Sequence, residues 1–241
     1  MTALLEICVD DLPGVEAAVA GGADRIELCA ALELGGLTPS PALLARAVAT
    51  GLPVHAMVRP RGGGFVLGPS DVQLMADEIG LAFDLGAKGV VIGALLPDRR
   101  LDRLALTAFR KAAGKGILVL HRAIDLTPDP VAATTQARDL GVDKILSSGG
   151  AATAFEGIGT LARMVAAAGD GLSVIAGSGV RVENVARIVA ETGVREVHSS
   201  ASVAAPGADP AAERLGFGGA RRITDAQTVR RLRAAIEGSG A

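Results

Sequence analysis

Apolar and polar positions along this 241-residue chain follow two alternating rhythms. Short apolar runs of strand length recur. Between them, apolar residues fall three and four apart, as on one face of a helix. The clearest signature is a weak internal repeat: a helix-ending glycine, a small residue, a polar residue and then an apolar strand. It occurs as GADRIELC from Gly22, GAKGVVIG from Gly86, GVDKILSS from Gly141 and GVREVHSS from Gly193. Each glycine suits the left-handed position just past a helix. The intervals of about 64, 55 and 52 residues are roughly twice a βα unit of ~30 residues, so a further strand is expected in each gap. LLEICV near Leu4, VHAMVR near Val54, GILVLH near Gly116 and LSVIAGSG near Leu172 fill those places. Helical spacing separates the strands, as at Val72–Leu74–Met75–Ile79–Phe83 and Val182–Val185–Ile188–Val189. Eight short apolar strands, each followed by a helix, predict an α/β protein with a parallel sheet closed as a (β/α)8 TIM barrel. An open doubly wound sheet is disfavoured, because no G-x-G-x-x-G follows the first strand.

The expected organisation is one domain over 1–241, with a long irregular Gly/Pro/Ala-rich loop at about 201–222. Thr224 or Asp225 can cap the helix after it. Loops of that length are commonly lids or binding segments.

Composition narrows the function classes. Hydrophobic residues make up 49% and charged residues 21%, a globular profile. With five Phe, no Trp, no Tyr and a net charge of −2, neither base stacking nor an electrostatic grip on nucleic acid is expected. No apolar run approaches the ~20 residues of a membrane span. The opening MTALLEICVDDL lacks a basic n-region and reads as a strand rather than a signal peptide. Two cysteines do not make a disulfide framework, so a cytoplasmic location is expected.

Strand alternation then predicts what faces the barrel interior. The repeat places Glu27, Val91, Leu146 and His198 at one inward position, and Cys29, Gly93, Ser148 and Ser200 at the next. Glu6, Cys8 and Asp10 share a parity, as do His55, Met57 and Arg59, and Val119 with His121. Closure of the barrel sets His198 beside Glu6 and Cys8, then Glu27 and Cys29, then Arg59. The C-terminal mouth, where this fold carries its active sites, is therefore polar. Glu6, Glu27, Arg59, His121, Asp125 and His198 are the candidates for catalysis. Two readings stay open for Glu27 and Arg59, a buried ion pair holding register or part of a site. Cys8 and Cys29 read either as small core residues or, with His198, as ligands of a soft metal. His55 falls early in its strand and is expected to be structural. Arg61 and the turn AGSGV, with Gly177, Ser178 and Gly179, are candidates for binding a phosphate or other small anion. The only lysines are Lys88, Lys111, Lys115 and Lys144. None is expected at the mouth, which argues against Schiff-base chemistry. CxxC, HExxH and G-x-S-x-G are all missing from the sequence.

LEICVDDLPGVEAAVAGGADRIELCAALELGGLTPS, followed in order by RPRGGGF, HRAID, LSSGG, AGSGV and EVHSSAS, resembles the CutC family across roughly 4–202. That resemblance implies a cytoplasmic TIM barrel forming dimers or larger homo-oligomers, and a role in copper homeostasis with copper, as Cu(I), as the bound ion. It carries Glu6, Cys8, Glu27, Cys29, Arg59, Arg61, His121, Asp125, Ser148 and His198 as motif positions. The chain departs from the family pattern at Gly64, commonly Asp, and at Ile124, commonly Phe. On residue chemistry alone, the alternative is an isomerase or lyase doing acid–base work on a small anionic or phosphorylated substrate, with a divalent metal as a variant. No organic cofactor, nucleic-acid partner or membrane partner is expected.

Overall fold

The computed structural model describes residues 2–207, 211, 214–215 and 221–238. Eight parallel strands close into a barrel in sequence order. They are β1 (Leu4–Val9), β2 (Arg25–Leu28), β3 (Val54–Met57), β4 (Gly89–Ile92), β5 (Ile117–Leu120), β6 (Lys144–Ser147), β7 (Ser173–Ala176) and β8 (Glu196–Ser199). Seven helices follow the first seven strands: α1 (Leu12–Gly21), α2 (Pro41–Val48), α3 (Pro69–Asp84), α4 (Arg103–Ala113), α5 (Pro130–Asp139), α6 (Ile158–Ala168) and α7 (Val185–Thr192). The glycines of the repeat behave as the sequence predicts. Gly22, Gly86, Gly141 and Gly193 have φ of 84°, 95°, 76° and 73°. A backbone that leaves a helix through this region turns straight into the next strand at little steric cost.

Side-chain alternation divides the apolar residues into two cores. Ile7, Ile26, Leu28, Val90, Ile92 and Val197 point outward beneath the helices, within one large cluster. Cys29, Met57, Val91, Val119, Leu146 and Ile175 form a separate cluster inside the barrel. The inner cluster is small because many inward positions are polar or glycine.

The segment expected to be irregular carries a short strand at each end. β9 (Ser202–Ala204) pairs antiparallel with β10 (Arg222–Thr224). Of that loop, residues 208–210, 212–213 and 216–220 lie outside the described residues. Asp225 caps the closing helix α8 (Ala226–Glu237), its carboxylate accepting from the Thr228 amide at 2.7 Å. α8 packs on α1 so closely that a Cβ on Gly21 would lie 2.4 Å from Val229. This contact joins the last βα unit to the first.

Candidate functional site

Register sets the site's lower half. Glu6 on β1 stands opposite His198 on β8 and Arg25 on β2, and Cys8 stands opposite Glu27. At the N-terminal end of the barrel, buried Arg25 bridges two carboxylates. Its Nε lies 2.5 Å from Glu6 Oε2 and its Nη2 lies 2.6 Å from Glu196 Oε2. Glu196 also pairs with Lys144 Nζ and accepts from Ser173 Oγ at 2.6 Å. Sequence reasoning missed Arg25 and Glu196, although parity marks both: each lies two positions before a predicted inward residue, Glu27 or His198. Of the two readings of Glu27 and Arg59, the buried ion pair does not form: the Arg59 guanidinium donates to backbone carbonyls. Arg25 supplies the cation instead, to Glu6, because it enters at the same barrel depth.

Glu6 is the hub of this layer. Its Oε1 lies 2.8 Å from His198 Nδ1 and its Oε2 3.4 Å from His55 Nδ1. Burial alone would raise its pKa, but Arg25, His198 and His55 outweigh that and hold it well below the usual range. An ionised carboxylate can only accept, so His198 Nδ1 donates. His55, expected to be structural, is buried; desolvation lowers its pKa and favours the neutral ring.

Above Glu6, the ligand atoms of Cys8, Glu27 and His198 lie within 4.8 Å of one another, all buried. His198 Nε2 is 3.8 Å from Glu27 Oε2, and Cys29 Sγ donates to the same oxygen at 3.7 Å. Glu27 Oε1 has no hydrogen-bond partner among the described residues. Burial foremost, with Glu6 adding to it against His198, raises the Glu27 pKa to about 7. For His198, desolvation is outweighed by Cys8 and Glu27, and its pKa rises well above normal. Burial and then Glu27 push the Cys29 thiol up, so it stays protonated. Of the proposed ligands, Cys8 and His198 therefore come together, with Glu27 as the third member of the group, while Cys29 is outside it and donates to Glu27.

The remaining candidates occupy the rim. His121 Nδ1 accepts from the Ala123 amide at 3.1 Å, which puts the proton on Nε2. Burial, followed by repulsion from Arg59, lowers its pKa to about 4, so the ring is neutral. Its place exists because residue 93 is glycine: a Cβ there would lie 2.1 Å from His121 Cε1. Arg59 is a clasp between mouth loops, donating to Leu34 O at 2.8 Å, Gly36 O at 3.1 Å and Gly63 O at 2.8 Å. Its Cζ lies 5.1 Å from the Phe65 ring, which in turn tilts against His121 at 4.8 Å.

Two candidates serve the loops instead of the Glu–His group. Asp125 accepts from Ser147 Oγ at 2.6 Å, Ser148 Oγ at 2.8 Å, Gly150 N at 3.0 Å and Arg122 Nε at 3.0 Å. It knits the β6 loop to the turn that follows β5. Arg61 pairs with Asp71 at 2.7 Å at the start of α3. In the AGSGV turn, Gly177 N donates to Ser147 O at 2.9 Å, and a Cβ there would meet Leu146 Cδ1 at 2.5 Å. Ser178 has φ 76° and its hydroxyl donates to Ala152 O at 2.8 Å. Gly179 has φ 66° and its carbonyl accepts from Asn184.

The CutC family model matches residues 3–203. A family protein CutC from Rhizobium meliloti (strain 1021) is 48% identical over 239 residues, 98% of this chain and 97% of its own length. A solved structure from Streptococcus agalactiae, described as a candidate copper homeostasis protein CutC, superposes with a TM-score of 0.78 at 30% identity. It covers 82% of this chain and 98% of that one. Thiamine phosphate pyrophosphorylase from Pyrococcus furiosus shares the fold alone, with a TM-score of 0.61 at 16% identity over 99% of this chain and 98% of that chain.

Proposed function

The chain belongs to the CutC family, and on that footing we propose that it serves copper homeostasis in the cytoplasm, taking a copper ion as cargo between Cys8, Glu27 and His198. The observation that carries this reading is the buried donor trio itself. Three ligand atoms of mixed softness lie within 4.8 Å, a spacing one ion with bonds of ~2 Å bridges after a small side-chain adjustment. A thiolate and an imidazole suit Cu(I), the soft state of the metal in a reducing compartment. Both cysteines are free.

The surroundings fit a cation. Glu27 Oε1 lacks a partner, and burial makes its ionised form costly, so a positive ion there relieves both conditions. His198 holds Nδ1–H against Glu6, so an ion would displace the proton of Nε2 and bond there, the carboxylate–histidine–metal arrangement. Cys29 supports the carboxylate rather than the ion.

The test is anaerobic Cu(I) competition against a chromophoric chelator. Cys8→Ser and His198→Gln should each weaken binding by at least tenfold, and Cys29→Ser by much less. Equal affinity in wild type and Cys8→Ser defeats the assignment.

A second reading rests on one observation, the Glu27–His198 pair. A carboxyl with a pKa of about 7 lying 3.8 Å from an imidazole is poised for proton transfer near neutral pH. An isomerase or lyase would use that pair on a small anionic substrate. His121 Nε2–H and the amides of Ser178 and Gly179 would be its donors. A thermal-shift screen of phosphorylated and carboxylate metabolites tests it, and no stabilisation by any of them counts against it.

A further inference from the structure

Beneath Cys8 and Glu27, a chain of charged groups leads to His198, from Lys144 through Glu196, Arg25 and Glu6. Such a series can simply lock register. One detail points further. Glu6 lies between two histidines, with Oε1 at 2.8 Å from His198 Nδ1 and Oε2 at 3.4 Å from His55 Nδ1. Arg25 Nε occupies Oε2 at 2.5 Å. We propose that Arg25 is a positioning residue for metal binding: by holding Glu6 Oε2 it commits Oε1 to His198 and fixes the tautomer that leaves His198 Nε2 as the ligand atom. This rests on the copper reading above.

The argument is geometric. Arg25 opens β2 and is 4% exposed, and its guanidinium has a second anchor in Glu196, itself held by Lys144 and Ser173. A planar fork hydrogen-bonded to Glu6 on one side and ion-paired to Glu196 on the other is held against swinging. Glu6 therefore cannot rotate toward His55, and its free oxygen is set facing β8. An imidazole whose Nδ1–H is held by a carboxylate can give up its other proton to a metal only from Nε2, the nitrogen 3.8 Å from Glu27. With Arg25 removed, Oε2 is left to His55 alone. Glu6 can then turn between the two rings, and His198 is free to adopt the other tautomer or to rotate.

The experiment uses the full chain with 15N-labelled histidine. Two-bond nitrogen–proton correlations report the His198 tautomer without metal, and chelator competition reports Cu(I) affinity. At alkaline pH, where the ring is neutral, wild type should show the Nδ1–H tautomer. Arg25→Gln should show mixed tautomers and lose about 10- to 100-fold in Cu(I) affinity, the usual loss for an outer partner of a metal ligand. Arg25→Lys, which retains a cation against Glu6, should restore most of it. If an unpaired Glu196 prevents Arg25→Gln from folding, Arg25→Gln with Glu196→Gln removes both charges together. A folded variant without Arg25 that keeps the wild-type tautomer and affinity overturns the proposal. So does a neutral His198 ring with its proton on Nε2 in wild type, which needs no variant. If wild type binds no Cu(I), the copper reading falls, while the tautomer measurements still decide the role of Arg25.

Discussion

Replacing Glu27 with glutamine isolates the electrostatic cost of the site. A carboxyl that titrates near 4.5 in an unfolded chain titrates at about 7 here. At about 1.4 kcal/mol per pH unit, that difference corresponds to about 3 kcal/mol of folding free energy. The sign follows from the direction. A group whose pKa is raised by folding gives its full stability below about 4.5 and loses it as pH rises through about 7. A glutamine side chain has the same shape as the glutamate it replaces and never ionises. Glu27→Gln should therefore gain on wild type as pH rises, with the gap widening by about 2.5 kcal/mol between roughly pH 5 and 8. His198 has a raised pKa of its own, so wild type loses stability in the same direction through that group also. Urea unfolding at four pH values in the presence of a metal chelator measures this, provided the slopes match. Parallel stability curves for the two proteins would refute the reasoning, because Glu27 would then ionise in the fold without penalty.

Other outcomes follow from the rim and the loops. His121, whose pKa is lowered to about 4, should contribute about 3 kcal/mol that is present above about 6.5 and lost as pH falls through 4; His121→Gln should flatten the acid limb of the stability profile. Gly93→Ala places a Cβ 2.1 Å from the His121 ring and should cost about 1–3 kcal/mol in chemical denaturation, with the imidazole resonances shifted. Asp125→Asn puts an NH2 where one carboxylate oxygen now accepts, turning a donor toward the donors of Ser148 or Gly150, and should cost about 2–4 kcal/mol. Amide exchange at those two residues should accelerate while Cu(I) affinity stays at the wild-type value, since Asp125 organises loops.

The chain's own pattern determined the architecture. Period-two strands separated by helical spacing, with glycines at the turn out of each helix, admit few arrangements other than a closed barrel. Parity then sorted Glu6, Glu27, Cys8, Cys29 and His198 to the inside, because a strand has only two faces. Asp225 as a cap was legible as one of two choices. The two short strands at the ends of the 201–222 segment were not legible. The pairing of β9 with β10 is an antiparallel contact between distant residues in a stretch with little apolar pattern.

What parity could not provide was depth. Two inward residues on neighbouring strands meet only if the stagger of the barrel brings them to one level, and that stagger is a property of the closed sheet. Hence Arg25 rather than Arg59 reaches a buried carboxylate, although both lie on inward positions of adjacent strands. Nor could spacing say which polar groups were already committed. Asp125, Arg59 and Arg61 have the chemistry of a site, yet the fold uses their hydrogen-bonding capacity on loop amides, carbonyls and a helix start. The sequence set which side chains enter the barrel; closure set the level at which each one sits, and therefore which of them share a proton or are placed to share an ion.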